Sequence, residues 1–109
     1  AEFDVAEEAS DAARFEREIA DGELRLIFAC CHPAITPDSQ VALTLKVACG
    51  FGVREIARAY LAKDDAVAKM LTRAKRRLRE AGVGLEEPPP DEFPDRIEAV
   101  FRVLYLMFN

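Results

Sequence analysis

The chain has 109 residues, half of them apolar, and a formal net charge of −5 at pH 7. That length suits one domain or a piece of a longer protein. No run of residues approaches the roughly 18 consecutive apolar residues that a membrane span needs. The three cysteines lack the spacing of a disulfide framework, so we expect a cytoplasmic protein in a reducing compartment that does not contact membranes.

Charge is unevenly distributed along the chain. Residues 1–23 carry nine acids and two bases, residues 54–79 nine bases and three acids, and residues 80–109 seven acids and two bases. A basic block between acidic flanks is typical of a helix that binds a polyanion, although a solvated helix face has the same composition. The layout leaves two alternatives for residues 1–23 and 86–98: they fold back over the basic block and compete with its ligand, or they are solvated flanks, which charge runs favour.

Helical periodicity dominates the first part of the chain. Apolar residues recur at intervals of three and four from Asp11 to Ala20 and again from Glu23 to Cys31, which predicts two helices separated by a stop at Asp21-Gly22. His32-Pro33 ends the second helix, because the residue before a proline is disfavoured in the α region.

Thr36 and Pro37 begin another helix, the threonine as its cap and the proline at its first position. This helix continues over residues 38–49 and is apolar around much of its circumference, so it should be central. β-branched residues are sparse and never alternate over a useful length. The sequence therefore predicts an all-α fold with a core of three or four helices and an additional helix at each end.

Two helices joined by a tight turn follow. The short one spans residues 53–61, Ala62-Lys63 form the turn, and the long one begins at a cap provided by Asp64 and stops at Gly82. The long helix has an apolar stripe, expected to face inward, of Val67, Met70, Leu71, Ala74 and Leu78. Its opposite stripe, expected to face outward, is Lys69, Thr72, Arg73, Arg76 and Arg77. This is the pattern of a helix-turn-helix, whose second helix enters the major groove of DNA.

Several motifs resemble a known family. Within residues 37–82, Glu55-Ile56-Ala57 and the run LTRAKRRL at 71–78 look like region 4 of a bacterial sigma-70-type factor of the extracytoplasmic-function group. The run LRLIFACCHPA at 24–34 and the terminal LYLMFN resemble a subgroup with a helical, tetratricopeptide-like extension after region 4. The likeness covers roughly residues 20–109.

The resemblance implies a part of a sigma factor that binds two partners during transcription initiation: the −35 element of promoter DNA and core RNA polymerase. It implies no enzymatic activity, no catalytic residues, no cofactor and no metal. The positions that would face promoter bases are Lys69, Thr72 and Arg73, and those that would face phosphates are Arg54, Lys63, Arg76 and Arg77. Such factors also grip a flexible flap element of the polymerase in an apolar cleft, for which Leu43 and Val47 are candidates unless both are core.

Two positions depart from the family pattern. Gly52 stands where a serine or threonine usually caps the Glu-Ile-Ala helix, and it is a weaker cap. Asp64-Asp65 places negative charge at the start of the DNA-facing helix, which would exclude some phosphate contacts or accept from cytosine amino groups.

Two other functions remain open. One is a helical protein–protein interaction module whose basic helix is merely solvated, and the other is a helix-turn-helix regulator that is not a sigma factor. Exposure of Arg73 and Arg76 beside Lys69, without internal carboxylate partners, would favour DNA binding over the interaction module.

The run Cys30-Cys31-His32 suggests a metal site, with Cys49 or a carboxylate as a further ligand. Adjacent cysteines rarely bind one structural zinc, which favours separated pairs. We therefore expect Cys31 and Cys49 to be small buried apolar residues and His32 to lie at a helix C-terminus.

The resulting organisation has four parts. Residues 1–22 form an acidic helical segment, which the resemblance makes a linker from region 2, and residues 23–82 form the helix-turn-helix domain. Residues 83–92 form a proline-rich linker, and residues 93–109 the first helix of a truncated C-terminal extension, the third partner that the resemblance implies. That helix has an apolar stripe of Ile97, Val100, Phe101, Leu104, Tyr105 and Phe108. We expect the stripe to fold back on the domain rather than pair with a second copy.

Overall fold

Five helices make up the part of the chain that the structure describes, which is residues 5–108 with side chains from Ser10 onward. In this computed structural model the helices are α1 (Val5–Cys30), α2 (Pro37–Val47), α3 (Val53–Ala59), α4 (Asp64–Glu80) and α5 (Phe93–Phe108). These residues include no strand, so the all-α class is confirmed. None of the five helices is long and apolar enough to cross a membrane. The acidic Glu2 and Asp4 and the terminal Asn109 lie outside the described residues.

The central helix is α2, as predicted, and it packs against the other four helices. Its start is fixed by Thr36, whose Oγ1 accepts a hydrogen bond from the Ser39 N–H at 3.3 Å, and by Pro37 in the first turn. Five consecutive residues, 40–44, are buried. Because five residues cover more than one turn, every side of α2 is packed there.

The first helix corrects one prediction, because α1 continues through Asp21-Gly22 without a stop. A glycine inside a helix costs about 1 kcal/mol relative to alanine, but it does not end the helix by itself. All residues from 10 to 25 are exposed, and α1 joins the core only from Leu26 onward. Most of α1 therefore projects from the domain, and the chain as a whole measures 61 × 34 × 27 Å.

The largest part of the core lies between α2, α3 and α4. The predicted inward stripe of α4 is confirmed, with Val67, Leu71 and Ala74 buried and the other two members half-buried against them. Ile56 and Ala57 of α3 are each 1% exposed, so the two helices approach closely.

The ends of α4 follow local signals, with one correction. Its N-cap is Lys63, and Asp64 occupies the first turn instead of the cap position. At the other end Gly82 has a φ of 70°, a left-handed conformation that glycine adopts readily. The Gly82 and Val83 N–H groups donate to the carbonyls of Arg79 and Leu78 at 3.0 and 2.9 Å, so the predicted stop is confirmed.

The last helix folds back, as predicted, and packs on α1 and α2. Its buried residues are Ala99, Val100 and Val103, which contact Phe28, Cys31 and Val41, and Ile97 and Leu104 are half-buried. The prediction that the rest of the stripe packs on the domain was wrong, since Phe101, Tyr105 and Phe108 are 63, 66 and 81% exposed. The apolar surface of α5 is wider than the face that its neighbours can cover.

A polar network joins α1, α2 and α5 beside these apolar contacts. The Gln40 Nε2 donates to the carbonyls of Cys31 and His32, at 3.1 and 3.0 Å. Arg102 of α5 donates to Gln40 Oε1 at 3.3 Å, and Arg96 donates to the Phe28 carbonyl at 2.9 Å. Carbonyls at a helix C-terminus lack partners within the helix, and these side chains provide them.

We predict that Gln40→Leu lowers the free energy of unfolding by about 2–3 kcal/mol, because buried carbonyls lose their donor. Urea denaturation followed by circular dichroism measures the change. Arg79→Gln, on the exposed side of α4, is the control and should change stability by no more than about 0.5 kcal/mol. Equal stability of the Gln40→Leu variant and the parent protein would contradict the structural role of the amide.

Candidate nucleic-acid interface

The side of α4 opposite its buried stripe is a row of exposed polar and basic residues. All five residues predicted for this row are exposed: Lys69, Thr72, Arg73, Arg76 and Arg77. Arg54 and Lys63 are exposed as well. The helix carries six bases and three acids. Among the residues that the structure describes, no basic side chain of α4 forms an ion pair. The row therefore presents uncompensated positive charge to solvent.

Two of the arginines differ in position from the rest of the row. Arg73 and Arg77 line a cleft of about 350 Å³ between α4 and the start of α2, together with Thr36 and Ser39. The N-terminus of a helix carries partial positive charge, so the two guanidinium groups and the helix end reinforce one another there. Asp38 also lines the cleft and opposes them in part.

Sequence analysis missed the contribution of α2 to this surface. Thr36 was recognised only as a helix cap, and its position beside α4 depends on packing between segments more than 30 residues apart. Arg79 was also missed, although it is exposed and follows Thr72 by two turns of α4. Its spacing of seven residues from Thr72 was the available signal.

Two more basic residues lie outside the row, Arg54 at the start of α3 and Lys63 at the end of the connection between α3 and α4. Leu61 in this connection has a φ of 53° and is 96% exposed. Arg54 Nε lies 3.9 Å from Asp64 Oδ2, and both side chains are exposed. A surface ion pair of this kind contributes little stability, so the guanidinium remains available to another anion.

Glu55 compensates for the weak cap of α3. Gly52 has no side chain to accept a hydrogen bond, but Glu55 Oε1 accepts one from the Gly52 N–H at 3.3 Å. One orphan donor at the helix start is therefore satisfied from within α3.

Thr72 is exposed, but its hydroxyl is partly committed. Its Oγ1 donates to the Ala68 carbonyl at 2.9 Å, one turn earlier in the helix. The side chain consequently offers a ligand its methyl group and the lone pairs of Oγ1, and not a hydroxyl proton.

An apolar groove of about 600 Å³ lies between α2, α3 and α5. Its apolar lining consists of Val41, Leu45, Phe51, Ala59, Ile56, Tyr60, Leu106 and Met107. Of the two cleft candidates, Leu43 is 3% exposed and belongs to the core, the alternative left open for it, whereas Val47 is exposed and lines neither the core nor this groove. The groove has charged residues at its rim, Asp38, Glu55 and Arg58.

The Cys-Cys-His run is mostly packed into the core. Cys30 and Cys31 are buried, as expected for Cys31, whereas Cys49 is exposed, so its predicted burial was wrong. Burial raises the pKa of Cys30 to about 12 and also raises the pKa of Cys31. Within residues 10–108 no three His, Cys, Asp or Glu side chains come together as a metal site.

The histidine behaves differently from a charged helix cap. Burial lowers the pKa of His32, and the nearby Arg96 lowers it further, while Glu92 acts in the opposite direction. Its Nδ1 accepts a hydrogen bond from the Ala34 N–H at 2.9 Å. A ring nitrogen that accepts must be unprotonated, so this contact requires neutral His32.

The acidic flanks do not cover the basic row in the described part of the chain. Residues 10–25 of α1 are exposed, and Glu87 lies 3.8 Å from Arg25 instead of from a base of α4. The acidic helix α5 packs on α1 and α2. Of the two alternatives for the flanks, these residues therefore agree with solvated flanks and not with a fold-back over the basic block.

Comparison with known proteins gives one relative. The chain is similar to an uncharacterized protein of Rhizobium meliloti (strain 1021), with 39% identity over 99 residues that make up 91% of this chain and 22% of that protein. The chain thus spans about a fifth of the length of the curated relative it matches. No family model and no solved structure matches it.

We predict that one of the three thiols reacts rapidly with a water-soluble aromatic disulfide reagent in the folded protein, because only Cys49 is exposed. Thiolate is the reacting species, and a raised pKa together with burial protects Cys30 and Cys31. Absorbance of the released thiolate measures the stoichiometry, and all three should react in concentrated guanidinium chloride. Cys49→Ser should abolish the rapid phase; its persistence would show that the buried pair is accessible.

Proposed function

We propose that the chain is a DNA-binding part of a sigma-70-type factor of the extracytoplasmic-function group, and that it recognises the −35 promoter element and binds core RNA polymerase. The observation that carries the proposal is the exposed basic row of α4. It lies opposite the buried stripe, directly after a short helix and a tight turn, and is free of ion pairs among the described residues. This arrangement supports a helix-turn-helix whose second helix enters the major groove.

The first half of α4 contributes the base contacts in this proposal. Lys69 and Arg73 provide donors for the acceptors of guanine, and Thr72 provides a methyl group and an acceptor. Asp65 precedes Lys69 by one turn and so shares its side of the helix. Its carboxylate repels phosphate and accepts from a cytosine amino group, which places base contacts at the start of α4.

The remaining basic residues contribute phosphate contacts. Arg54 and Lys63 lie at the ends of the α3 region, and Arg76 and Arg77 lie in the second half of α4. The cleft between Arg77 and the α2 N-terminus suits a phosphate, since helix N-termini attract anions. Such contacts set affinity and salt dependence and carry little sequence information.

The alternative functions differ from this one in what they require of Arg73 and Arg76. A protein–protein module with a solvated basic helix needs no particular alignment of these bases, whereas both are exposed and unpaired with any described carboxylate beside Lys69. That arrangement favours DNA as the ligand. Binding to core polymerase separates a sigma factor from a helix-turn-helix regulator of another kind.

We predict that Arg73→Ala weakens binding to a matched promoter duplex by about 1–3 kcal/mol, through a lost base contact. Arg76→Ala should weaken matched and scrambled duplexes about equally and reduce the slope of log K against log salt by about 1. Fluorescence anisotropy at several salt concentrations measures both effects, with the duplex obtained by in vitro selection. Unchanged affinity of Arg73→Ala for the matched duplex would exclude the base contact.

We predict that Phe51→Lys abolishes capture of core polymerase by the factor without unfolding it. Phe51 is 41% exposed and lines the apolar groove, which we assign to the flap element of the polymerase. Lysine at this position places a charge in that apolar contact, and because the side chain is already exposed, the substitution costs the core little stability. Pull-down with core enzyme measures the interaction, and circular dichroism checks the fold. Phe101→Lys is the matched control, because Phe101 is 63% exposed and does not line the groove; loss of capture in both variants, or in neither, would contradict the assignment.

A further inference from the structure

An exposed apolar seam runs along the projecting part of α1. Ala12, Phe15, Ile19, Gly22 and Leu26 follow one another at intervals of three, four, three and four residues, the a/d spacing by which helices pair. Phe15 and Ile19 are 63 and 47% exposed. Leu26 at the inner end is half-buried against the core, so the seam continues the packing surface of the domain outward.

Gly22 lies in the middle of this seam. It lies inside α1 without a positive φ, and a Cβ built on it meets nothing within 4 Å. Nothing in the described residues therefore requires a glycine there, although glycine destabilises a helix interior. A glycine on a packing seam permits close approach of another backbone, which explains the residue if a second helix crosses α1 at this point.

The charges beside the seam specify the chemistry of that helix. By helical spacing Asp11, Glu16, Glu18, Glu23 and Arg25 flank the seam, whereas Arg14 and Arg17 lie toward the opposite side. Arg25 is paired with Glu87, and the flanks are acidic overall. Asp11 is paired with Arg14. The three glutamates form no ion pair among the described residues. Residues in these flanking positions select the partner of a paired helix through opposite charge.

A second copy of α1 is a poor partner for the seam. Pairing two identical seams would bring acidic flanks together, and like charges in such positions disfavour association. The basic helix α4 is also unsuitable, because its apolar stripe is buried in its own domain.

We propose that the α1 seam binds an amphipathic helix of another protein, whose apolar face is flanked by lysine or arginine. The inference is independent of the DNA-binding proposal, since it uses neither α4 nor the apolar groove. Apolar contacts with Phe15 and Ile19 anchor the helix, Gly22 sets the close crossing, and the glutamates select basic flanks.

A synthetic peptide of three heptads, with leucine at positions a and d and lysine at e and g, tests the proposal by fluorescence anisotropy with the 109-residue protein. We expect it to bind at least about tenfold more tightly than a peptide with glutamate at e and g, and the affinity should fall with added salt. A scrambled peptide of the same lysine composition controls for attraction to an acidic protein. Equal binding of the scrambled peptide, or no binding of the lysine peptide, would overturn the proposal.

Variants in α1 separate docking from stability. Ile19→Asp should weaken peptide binding by about tenfold or more, while Arg17→Ala, on the opposite side, should leave it unchanged. Gly22→Ala should raise the thermal midpoint, since alanine favours the helix, and yet weaken binding by obstructing the crossing. Unchanged or tighter binding by Gly22→Ala would reject the close crossing, and a concentration-dependent dimer abolished by Ile19→Asp would identify the second copy as the occupant instead.

Discussion

The Gln40 side chain is the contact on which the arrangement of α1, α2 and α5 depends. α1 ends among buried residues, and the last carbonyls of a helix lack partners within it. The Gln40 amide donates to two of the carbonyls that follow, and its oxygen accepts from Arg102. A buried amide whose donor and acceptor are both used specifies one relative orientation of the helices that it joins, whereas apolar packing alone tolerates several.

The same network has an electrostatic consequence for the end of α1. Arg96 donates to the Phe28 carbonyl through one nitrogen, but its buried Nε has no hydrogen-bond partner in the described residues. Burial of His32 and the positive charge of Arg96 lower the pKa of the imidazole, which agrees with its role as acceptor from the Ala34 N–H. Arg96 from α5 therefore supplies the positive charge at the C-terminus of α1, and the histidine acts as a hydrogen-bond acceptor in the turn.

Features determined by neighbouring residues could be predicted from the sequence. The cap formed by Thr36 and Pro37, the stop at Gly82 and the two sides of α4 all depend on a few adjacent positions. The stop at Gly22 and the cap at Asp64 failed because local preferences of about 1 kcal/mol are overridden by the continuation of a helix or the position of a turn. The network of Gln40 with Arg102 could not be predicted, because it joins residues 62 positions apart.

The candidate site shows the same division. The basic row of α4 follows from its periodicity, but the cleft with the α2 N-terminus and the apolar groove each combine segments distant in sequence. On α5 the apolar surface is too wide for its buried part to be predicted from the sequence. Six apolar residues share this surface, and only packing against neighbouring helices decides which of them are covered. Cys49 was assigned to the core by residue type alone, and its exposure follows from its position after the end of α2.

Ile56 connects the two surfaces on which the proposed function depends. Its side chain lines the apolar groove, and it is also buried in the core cluster with Val67 and Leu71 of α4. The opposite wall of the groove comes from Leu106 and Met107 of α5, which the arginine contacts hold against α1 and α2. Leu45 and Tyr60 also line the groove and pack against this cluster. Because packed interiors transmit displacement with little compression, occupancy of the groove and the orientation of α4 are mechanically linked through these shared residues.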